Sequence, residues 1–132
     1  MDTAADTFAQ AVAGMRDTIA AYALAVDDGR TGDVVMTFCP DGSAEIPGFE
    51  VAVGHDALRA MFAGLKPRRP SRHLVVNTHV TDWNGPWATA VSDLVVLGQD
   101  GPGWVIALVG RYRDLFHYAD GGWRFHARKL EI

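Results

Sequence analysis

The chain has 132 residues, of which 48% are hydrophobic and 21% are charged. This length fits one domain with a buried core, and the composition excludes a mainly disordered, collagen-like or coiled-coil chain. A net charge of −4 argues against a nucleic-acid-binding protein, and a single cysteine, Cys39, excludes a disulfide scaffold. We therefore expect one globular domain over residues 1–132.

The first predicted element is a long amphipathic helix over residues 5–28. Apolar residues recur there at spacings of three and four, which places them on one helix face. These residues are Phe8, Val12, Met15, Ile19, Tyr22 and Val26. Asp2 or Asp6 is expected to cap the start, and Gly29 suits the left-handed conformation that often follows a helix.

The next part of the chain predicts short elements. A second helix is expected from Asp33 to Phe38, with Asp33 as its N-cap and Pro40 ending it. Residues 43–53 have the pattern of extended chain. A third helix is predicted to begin at Gly54.

The second half of the chain predicts a meander of four strands. The apolar runs cover residues 72–83, 87–97, 104–118 and 123–130, and Asn84-Gly85 is a strong hairpin signal between the first two. Helices followed by a strand meander predict an α+β fold, with a curved antiparallel sheet packed on the N-terminal helices. Because neither face of these strands is polar, we expect one face to cover the helices. The other is expected to meet a second copy, in a homodimer or homotrimer.

No segment predicts a membrane span or a secretory leader. The longest apolar stretch, residues 20–26, is broken at Asp27 and is far shorter than the ~20 residues that a spanning helix needs. We therefore expect a cytoplasmic protein. The basic run from Lys66 to Arg69 is interpreted as a solvated loop rather than a phosphate-binding patch.

Two residues stand out as candidates for proton transfer. His73 lies in a predicted apolar strand, and imidazole can take or give a proton near neutral pH. A core histidine held by one hydrogen bond is the simpler interpretation. Asp27 lies at the edge of the first helix's apolar face, near the C-terminal end, where the helix dipole disfavours a carboxylate. It is either a solvated helix end or a carboxylate that orients a histidine from inside a cavity.

The last strands carry ionisable residues in apolar surroundings. Asp93 and Asp114 are predicted to form ion pairs with Arg111, Arg113 or Arg128, since buried charges need partners. The five histidines and the cysteine show none of the spacings typical of metal sites, so no metal is expected.

Short segments spread over nearly the whole chain resemble those of one known family. They are Tyr22-Ala23, Asp27 to Gly29, Gly32-Asp33, Phe38, Asp41-Gly42, Gly54 to Leu58, His73 to Asn77, Gly110 to Asp114, and Gly121 to Phe125 with Arg128. Together they resemble a SnoaL-like domain of the nuclear-transport-factor-2-like superfamily, which includes ketosteroid isomerase. The resemblance implies a cone-shaped sheet packed on helices, a fold that supports many chemistries.

Within this superfamily the chain is most similar to the branch of scytalone dehydratase and bile acid 7α-dehydratase. Those enzymes eliminate water with a histidine that an aspartate holds. The resemblance implies His73 as the histidine, Asp27 as its partner, and Tyr22 and Arg128 as pocket residues.

One position departs from the pattern of that branch. Scytalone dehydratase has a second catalytic histidine where this chain has Ser92, and the bile acid enzyme has an aspartate in the same region, which implies Asp93 as a catalytic residue. Strand alternation puts Ser92 and Asp93 on opposite faces, so only one of them can enter the pocket.

The resemblance implies a lyase or isomerase that needs no cofactor and acts on a small hydrophobic, steroid- or polyketide-like ring. His73 would remove a proton next to a carbonyl, and Tyr22 and Arg128 would donate hydrogen bonds to the developing enolate. Water would then leave, or the proton would return elsewhere. The residues expected to line the substrate pocket are Phe8, Val12, Met15, Ile19, Phe38, Met61, Phe62, Val75, Asn77, Ser92 and Tyr112.

Three other functions remain open at this point. The same pocket would serve a ligand-binding protein without catalysis. A polyketide cyclase would use an aspartate, either Asp93 or Asp114. A structural subunit would resemble the β subunits of ring-hydroxylating dioxygenases, which are expected to be longer and to need an α partner.

Overall fold

The computed structural model describes residues 7–132. Its first helix, α1 (Phe8–Asp27), begins after Thr7, whose side chain accepts a hydrogen bond from the backbone N–H of Gln10. The side chain of Gln10 in turn accepts from the backbone N–H of Thr7. This capping box satisfies two of the N–H groups that a helix start leaves free. The predicted caps Asp2 and Asp6 lie outside the described residues.

The turn after α1 forms as predicted, and the next helix differs in its bounds. Gly29 adopts a φ of +68° and leads into α2 (Thr31–Met36). The prediction that Asp33 caps this helix is wrong, because Arg30 occupies the N-cap and Asp33 lies in the first turn, ion-paired with Arg30. The helix ends before Phe38, which already belongs to a strand.

The third helix, α3 (His55–Gly64), begins next to the predicted position. No helix within residues 7–132 is both long enough and apolar enough to cross a membrane.

The strands of residues 7–132 form one open, curved sheet. They are β1 (Phe38–Glu45), β2 (Ala52–Val53), β3 (Ser71–Asn84), β4 (Trp87–Asp100), β5 (Gly103–Ala119) and β6 (Gly122–Glu131). Their spatial order is β2-β1-β6-β5-β4-β3. All neighbours are antiparallel except β1 and β6, which run parallel. The predicted α+β fold with a curved sheet is confirmed, whereas the parallel pair was not predicted.

Two local predictions are corrected by the strand register. Asn84 pairs with Trp87, so the two-residue hairpin loop is Gly85-Pro86 rather than Asn84-Gly85. Pro40 lies inside β1 instead of ending α2, at a point where the pairing with β6 shifts register. A strand tolerates proline at such an irregularity, because proline has no N–H for the regular ladder.

Close contacts fix α1 along the inner face of the sheet. A Cβ atom at Gly14 would lie 2.8 Å from Cδ1 of Trp123, so only glycine fits this position without a shift. One turn later, the hydroxyl of Thr18 donates to the backbone carbonyl of Trp123 at 2.6 Å. Both contacts join the middle of α1 to β6.

The opposite face of the sheet carries exposed and half-buried apolar residues. Leu74, Val95 and Val109 lie in one cross-strand row, and Leu97 and Ile106 lie in the next. The side chains of Ile106 and Val109 are 66% and 59% exposed. We call these five residues the outer patch.

Candidate active site

A cavity of about 840 Å³ lies between the end of α1, the end of α3 and the inner face of the sheet, and it opens to solvent. This volume is within the range of small-molecule sites. The wall is mostly apolar and includes Tyr22, Val26, Phe62, Leu65, His73, Leu94, Val96, Val105, Ala107, Leu108, Tyr112, Leu130 and Ile132. The mouth is bordered by residues 46–49, 67–71 and 98–100.

The structure brings Asp27 and His73 together at the wall of this cavity. The Asp27 side chain is 6% exposed, and one carboxylate oxygen lies 2.7 Å from Nδ1 of His73. The other oxygen accepts the backbone N–H of His73 at 2.9 Å, and the hydroxyl of Ser71 adds a contact of 3.3 Å. These bonds offset the burial of a charge at the unfavourable end of a helix. The neighbouring Asp28 is exposed and pairs with Arg30 instead.

The Asp27 contact determines which nitrogen of His73 carries the proton. A carboxylate only accepts hydrogen bonds, so Nδ1 is the protonated nitrogen of the neutral ring. The second nitrogen, Nε2, is then a free acceptor, and it makes no hydrogen bond within residues 7–132. Because the ring lines the cavity, the structure presents an oriented proton acceptor to any molecule inside it.

Two tyrosines line the same cavity. Tyr22, near the end of α1, and Tyr112, on β5, contact each other edge to face with ring centroids 6.2 Å apart. Burial raises the pKa of both phenols. Both side chains therefore stay neutral at physiological pH and keep a proton to donate.

Behind the tyrosines lies a buried ion pair. Arg128 and Asp114 are 3% and 4% exposed, and their closest atoms, Nε and Oδ1, are 3.0 Å apart. The guanidinium carbon also lies 3.4 Å from the ring centre of Tyr112 and 4.3 Å from that of Tyr22. Burial raises the pKa of Asp114 to about 6, although the charge of Arg128 opposes this shift. Arg128 does not line the cavity, although we predicted it as a pocket residue, and it contacts the rings of the two cavity tyrosines.

Most of the apolar residues predicted to line the pocket belong to the core instead. Phe62 and Tyr112 line the cavity, as predicted. Only the last two turns of α1 reach it, so earlier residues of the same helix face pack against the sheet. The predicted residues that pack elsewhere are Val12, Met15, Ile19, Phe38, Met61 and Val75. Phe8 is 50% exposed and packs on Trp83, far from the cavity along α1.

The polar residues predicted on β3 and β4 also lie outside the cavity wall. Of Ser92 and Asp93, it is Ser92 that points to the inner face of the sheet. It is buried, and its hydroxyl forms a hydrogen bond with the hydroxyl of Thr78 at 2.9 Å. Asp93 points outward, where Asn77 and Arg111 each donate to it at 2.9 Å and lower its pKa. The ion pair of Asp93 with Arg111 confirms one structural prediction. It also takes Asp93 and Asn77 away from the site.

Several wall and mouth residues were not predicted. Leu94 and Val96 share the inward face of β4 with Ser92, so strand alternation could have identified them. Leu108 and Leu130 meet the cavity because of the register between β4, β5 and β6, which no local pattern shows. The mouth arginines Arg68 and Arg69, interpreted as solvated, are exposed and also border the cavity.

The described part of the chain contains no candidate metal-binding site. Within residues 7–132, no three His, Cys, Asp or Glu side chains lie close enough to hold one ion together. Cys39 is buried, and burial raises the pKa of its thiol, so it packs as a small hydrophobic side chain.

Comparison with known families identifies the domain. A model of the SnoaL-like domain family matches residues 7–129. The chain belongs to the SnoaL-like domain family. The matched part of this SnoaL-like domain contains the His73–Asp27 pair and both cavity tyrosines. No curated protein sequence gives a match.

Solved structures share the SnoaL-like architecture. Rv3472 of Mycobacterium tuberculosis, described as a protein of unknown function, is 28% identical with a TM-score of 0.83, over 91% of this chain and 74% of its own. A Novosphingobium aromaticivorans protein provisionally named as a scytalone dehydratase is 21% identical, with a TM-score of 0.77 and coverages of 90% and 81%. The β subunit of a provisionally named aromatic-ring-hydroxylating dioxygenase from the same organism is 23% identical, with a TM-score of 0.79 and coverages of 96% and 93%. The last two similarities support the fold alone.

Proposed function

We propose that this SnoaL-like protein is a lyase or isomerase in which His73 moves a proton on a small hydrophobic ring substrate, without a cofactor. The observation that carries the proposal is the 2.7 Å contact between His73 and the buried Asp27. This contact orients the ring and leaves Nε2 as an acceptor in an apolar cavity. A volume of about 840 Å³ suits a multi-ring molecule.

The reaction begins with removal of a proton from the carbon next to a ring carbonyl. Nε2 of His73 takes the proton, and the electron pair of the C–H bond moves into an enolate. Asp27 accepts the hydrogen bond from Nδ1 throughout and favours the ring cation that forms. The hydroxyl groups of Tyr22 and Tyr112 donate hydrogen bonds to the enolate oxygen, where negative charge develops.

The second step regenerates the base. When the neighbouring carbon bears a hydroxyl group, the enolate collapses, the C–O bond breaks, and the leaving oxygen takes the proton from His73 as water. When the ring instead carries a β,γ double bond, the dienolate takes the proton from His73 at the γ carbon and the double bond moves into conjugation with the carbonyl. The sequence of steps is balanced in both cases, because His73 and Asp27 end as they began.

Arg128 supports this chemistry from behind the tyrosine rings. Its guanidinium contacts both rings at 3.4 Å and 4.3 Å, where a positive charge favours negative charge on the hydroxyl side. Asp114 holds the guanidinium in place. Arg128 is therefore a positioning residue, and the tyrosines contact the substrate.

An aspartate-based cyclase is less well supported by the geometry. Asp93 lies on the outer face, paired with Arg111, and Asp114 is buried against Arg128. Neither residue is part of the cavity wall. A binding protein without catalysis has the same cavity, and turnover separates it from an enzyme.

The same proposal includes association of identical copies through the outer patch. The cross-strand row next to the outer patch contains Asp93 and Arg111. In a dimer with two-fold symmetry, each copy would therefore face one acidic and one basic side chain of the other. Assembly with a dioxygenase α subunit is the alternative. The length of this chain is compatible with that alternative, because the match covers 93% of the compared β subunit.

The test is turnover of hydroxylated ring ketones, followed by the ultraviolet absorbance of the conjugated enone that water loss produces. His73→Ala should reduce kcat by about 10²–10⁴-fold, the usual contribution of a general base. His79→Ala is the matched control, because His79 is an exposed histidine on the same strand and lies outside the cavity. Equal activity of the two variants would contradict the proposal. Tight ligand binding without any turnover would favour the binding protein.

A further inference from the structure

Two arginines at the cavity mouth have no acidic partner. Arg68 and Arg69 are exposed, border the cavity, and make no ion pair within residues 7–132. Arg111 and Arg113 are ion-paired with Asp93 and Glu131, and the exposed Arg16 and Arg72 contact backbone carbonyls. The two mouth arginines therefore offer unpaired positive charge beside an otherwise apolar cavity.

The segment that carries these arginines is tied to the sheet. Pro67 and Pro70 flank them, and each proline restricts its own backbone φ angle. The carbonyl of Pro70 accepts the backbone N–H of Gln99 at 3.0 Å, which joins this segment to the end of β4. Both prolines and Gln99 border the cavity as well. The arginines are thus held at the mouth by a restrained loop.

We propose that the substrate is an apolar ring molecule with an anionic group, and that Arg68 and Arg69 bind this group at the mouth. The inference rests on the proposed function, in that the cavity is the substrate site. A guanidinium binds carboxylate or phosphate through two parallel hydrogen bonds, which a neutral ring cannot provide. Among the described residues at the mouth, Asp100 is the one acid, so positive charge prevails there.

The chain geometry limits the distance between the backbones of the two residues that would contact the ends of the substrate. Arg69 precedes His73 by four residues, so their Cα atoms are at most about 14 Å apart. The carbon that loses a proton and the anionic group can therefore belong to one fused-ring molecule with a short side chain. The apolar wall between them, with Val96 and Leu65, would contact the ring body.

Binding of two fluorescent probes with one aromatic frame tests this inference. The anionic probe is 1-anilinonaphthalene-8-sulfonate, and the uncharged probe is N-phenyl-1-naphthylamine. We expect Arg68→Gln and Arg69→Gln each to weaken binding of the sulfonate about threefold, and the double variant about tenfold. Binding of the uncharged probe should change less than about twofold, because it lacks the group that the arginines contact.

Arg59→Gln is the matched control for the loss of one positive charge. Arg59 is an exposed arginine of α3 that pairs with Asp56 and does not border the cavity. It should leave both probes unaffected. Equal weakening of both probes in the double variant would overturn the inference, since the arginines would then only shape the loop. Failure of the probes to displace each other would overturn it too, because the anion would bind elsewhere.

Competition identifies the anion. Naphthalene-2-carboxylate and 2-naphthyl phosphate are compared with uncharged naphthalene-2-carboxamide as competitors of the sulfonate probe. Stronger competition by either anion supports the inference and distinguishes carboxylate from phosphate. Equal competition by the carboxamide would overturn it.

One variant keeps this inference separate from the proposed reaction. His73→Ala should reduce kcat by about 10²–10⁴-fold, whereas the arginine double variant should still weaken binding of the sulfonate probe about tenfold when it is made in the His73→Ala background. If turnover survives in His73→Ala but the arginine effect remains, the reaction is wrong and the anion site stands. If His73→Ala loses turnover but the arginine variants bind the sulfonate probe as well as the wild type does, the anion site is wrong and the proposed reaction stands.

Discussion

Replacement of Asp27 with asparagine would change the tautomer of His73 while keeping the shape of the site. The carboxylate now accepts from both the backbone N–H and Nδ1 of His73. An amide has one oxygen and one NH2 group, and the backbone N–H can only donate. The oxygen therefore stays with the backbone, and the NH2 group turns to Nδ1. Nδ1 must then accept, which moves the ring proton to Nε2.

The expected loss follows from this change of tautomer. With a proton on Nε2, His73 cannot remove one from the substrate, so the contribution of the general base is lost. We expect kcat of Asp27→Asn to fall by about 10³-fold, which is about 4 kcal/mol of transition-state stabilisation. KM should change less than about threefold, because the cavity wall is untouched. The free energy of unfolding should fall by about 1–2 kcal/mol, since charge-assisted hydrogen bonds become neutral ones.

The assay is the rate of enone formation, with urea unfolding measured on the same samples. Asp28→Asn is the control, because the side chain of this neighbouring acid is exposed and pairs with Arg30. It should change kcat by less than about twofold. The reasoning is refuted if Asp27→Asn retains more than about a third of the activity, or if both variants lose the same amount.

Three further changes test other parts of the structure. Because burial raises the pKa of Asp114 from 3.8 to about 6, the folded protein holds this proton more tightly than the unfolded chain does. The resulting stability is present below about pH 4 and is lost as the pH rises through about 6. Asp114→Asn cannot ionise, so by urea unfolding it should match the wild type near pH 4 and be about 2–3 kcal/mol more stable at pH 7. Tyr112→Phe removes a donor to the enolate and should lower kcat about 100-fold with KM nearly unchanged, measured by enone formation. Ile106→Lys puts a charge in the outer patch and should shift the protein to the monomer in sedimentation velocity, without loss of thermal stability.

Each of these changes has a control within the chain. Asp93→Asn should show the opposite pH trend, because hydrogen bonds from Asn77 and Arg111 lower the pKa of Asp93. If Asp114→Asn is less stable than the wild type at pH 7, the attraction between Asp114 and Arg128 exceeds the cost of burying the charged carboxylate. Tyr118→Phe should retain full activity, and equal losses in the two tyrosine variants would remove Tyr112 from the mechanism. Val53→Lys alters an equally exposed residue outside the patch, so dissociation by both lysine variants would contradict an interface at the patch.

The sequence predicted those features that depend on local periodicity or on one pair of residues. The three- and four-residue spacing of apolar residues predicts α1 to within a few residues of its observed bounds, and Gly29 correctly predicts where the helix ends. The family resemblance pairs Asp27 with His73, and the structure places their side chains 2.7 Å apart. Asp27 also carried a physical signal of its own, since a carboxylate at a helix C-terminus needs compensation.

The errors arose where tertiary position, rather than local pattern, decides a role. The apolar face of α1 is continuous in sequence, but the cavity begins only at Tyr22, so Met15 and Ile19 became core residues. The sequence predicts Arg128 in the pocket. In the structure Arg128 on β6 pairs with Asp114 on β5, which buries its side chain behind the ring of Tyr112. The parallel pairing of β1 with β6 depends on a long connection through α3, and no short-range pattern predicts it.

The contact between Gly14 and Trp123 has a consequence for the other end of α1. Asp27 follows Gly14 by 13 residues, which is about 20 Å along a helix. A methyl group at Gly14 would push the helix away from Trp123, and a rigid helix carries such a shift to its far end. The Asp27–His73 hydrogen bond tolerates little displacement. A substitution at Gly14 would therefore disturb the Asp27–His73 pair from a position about 20 Å away from it.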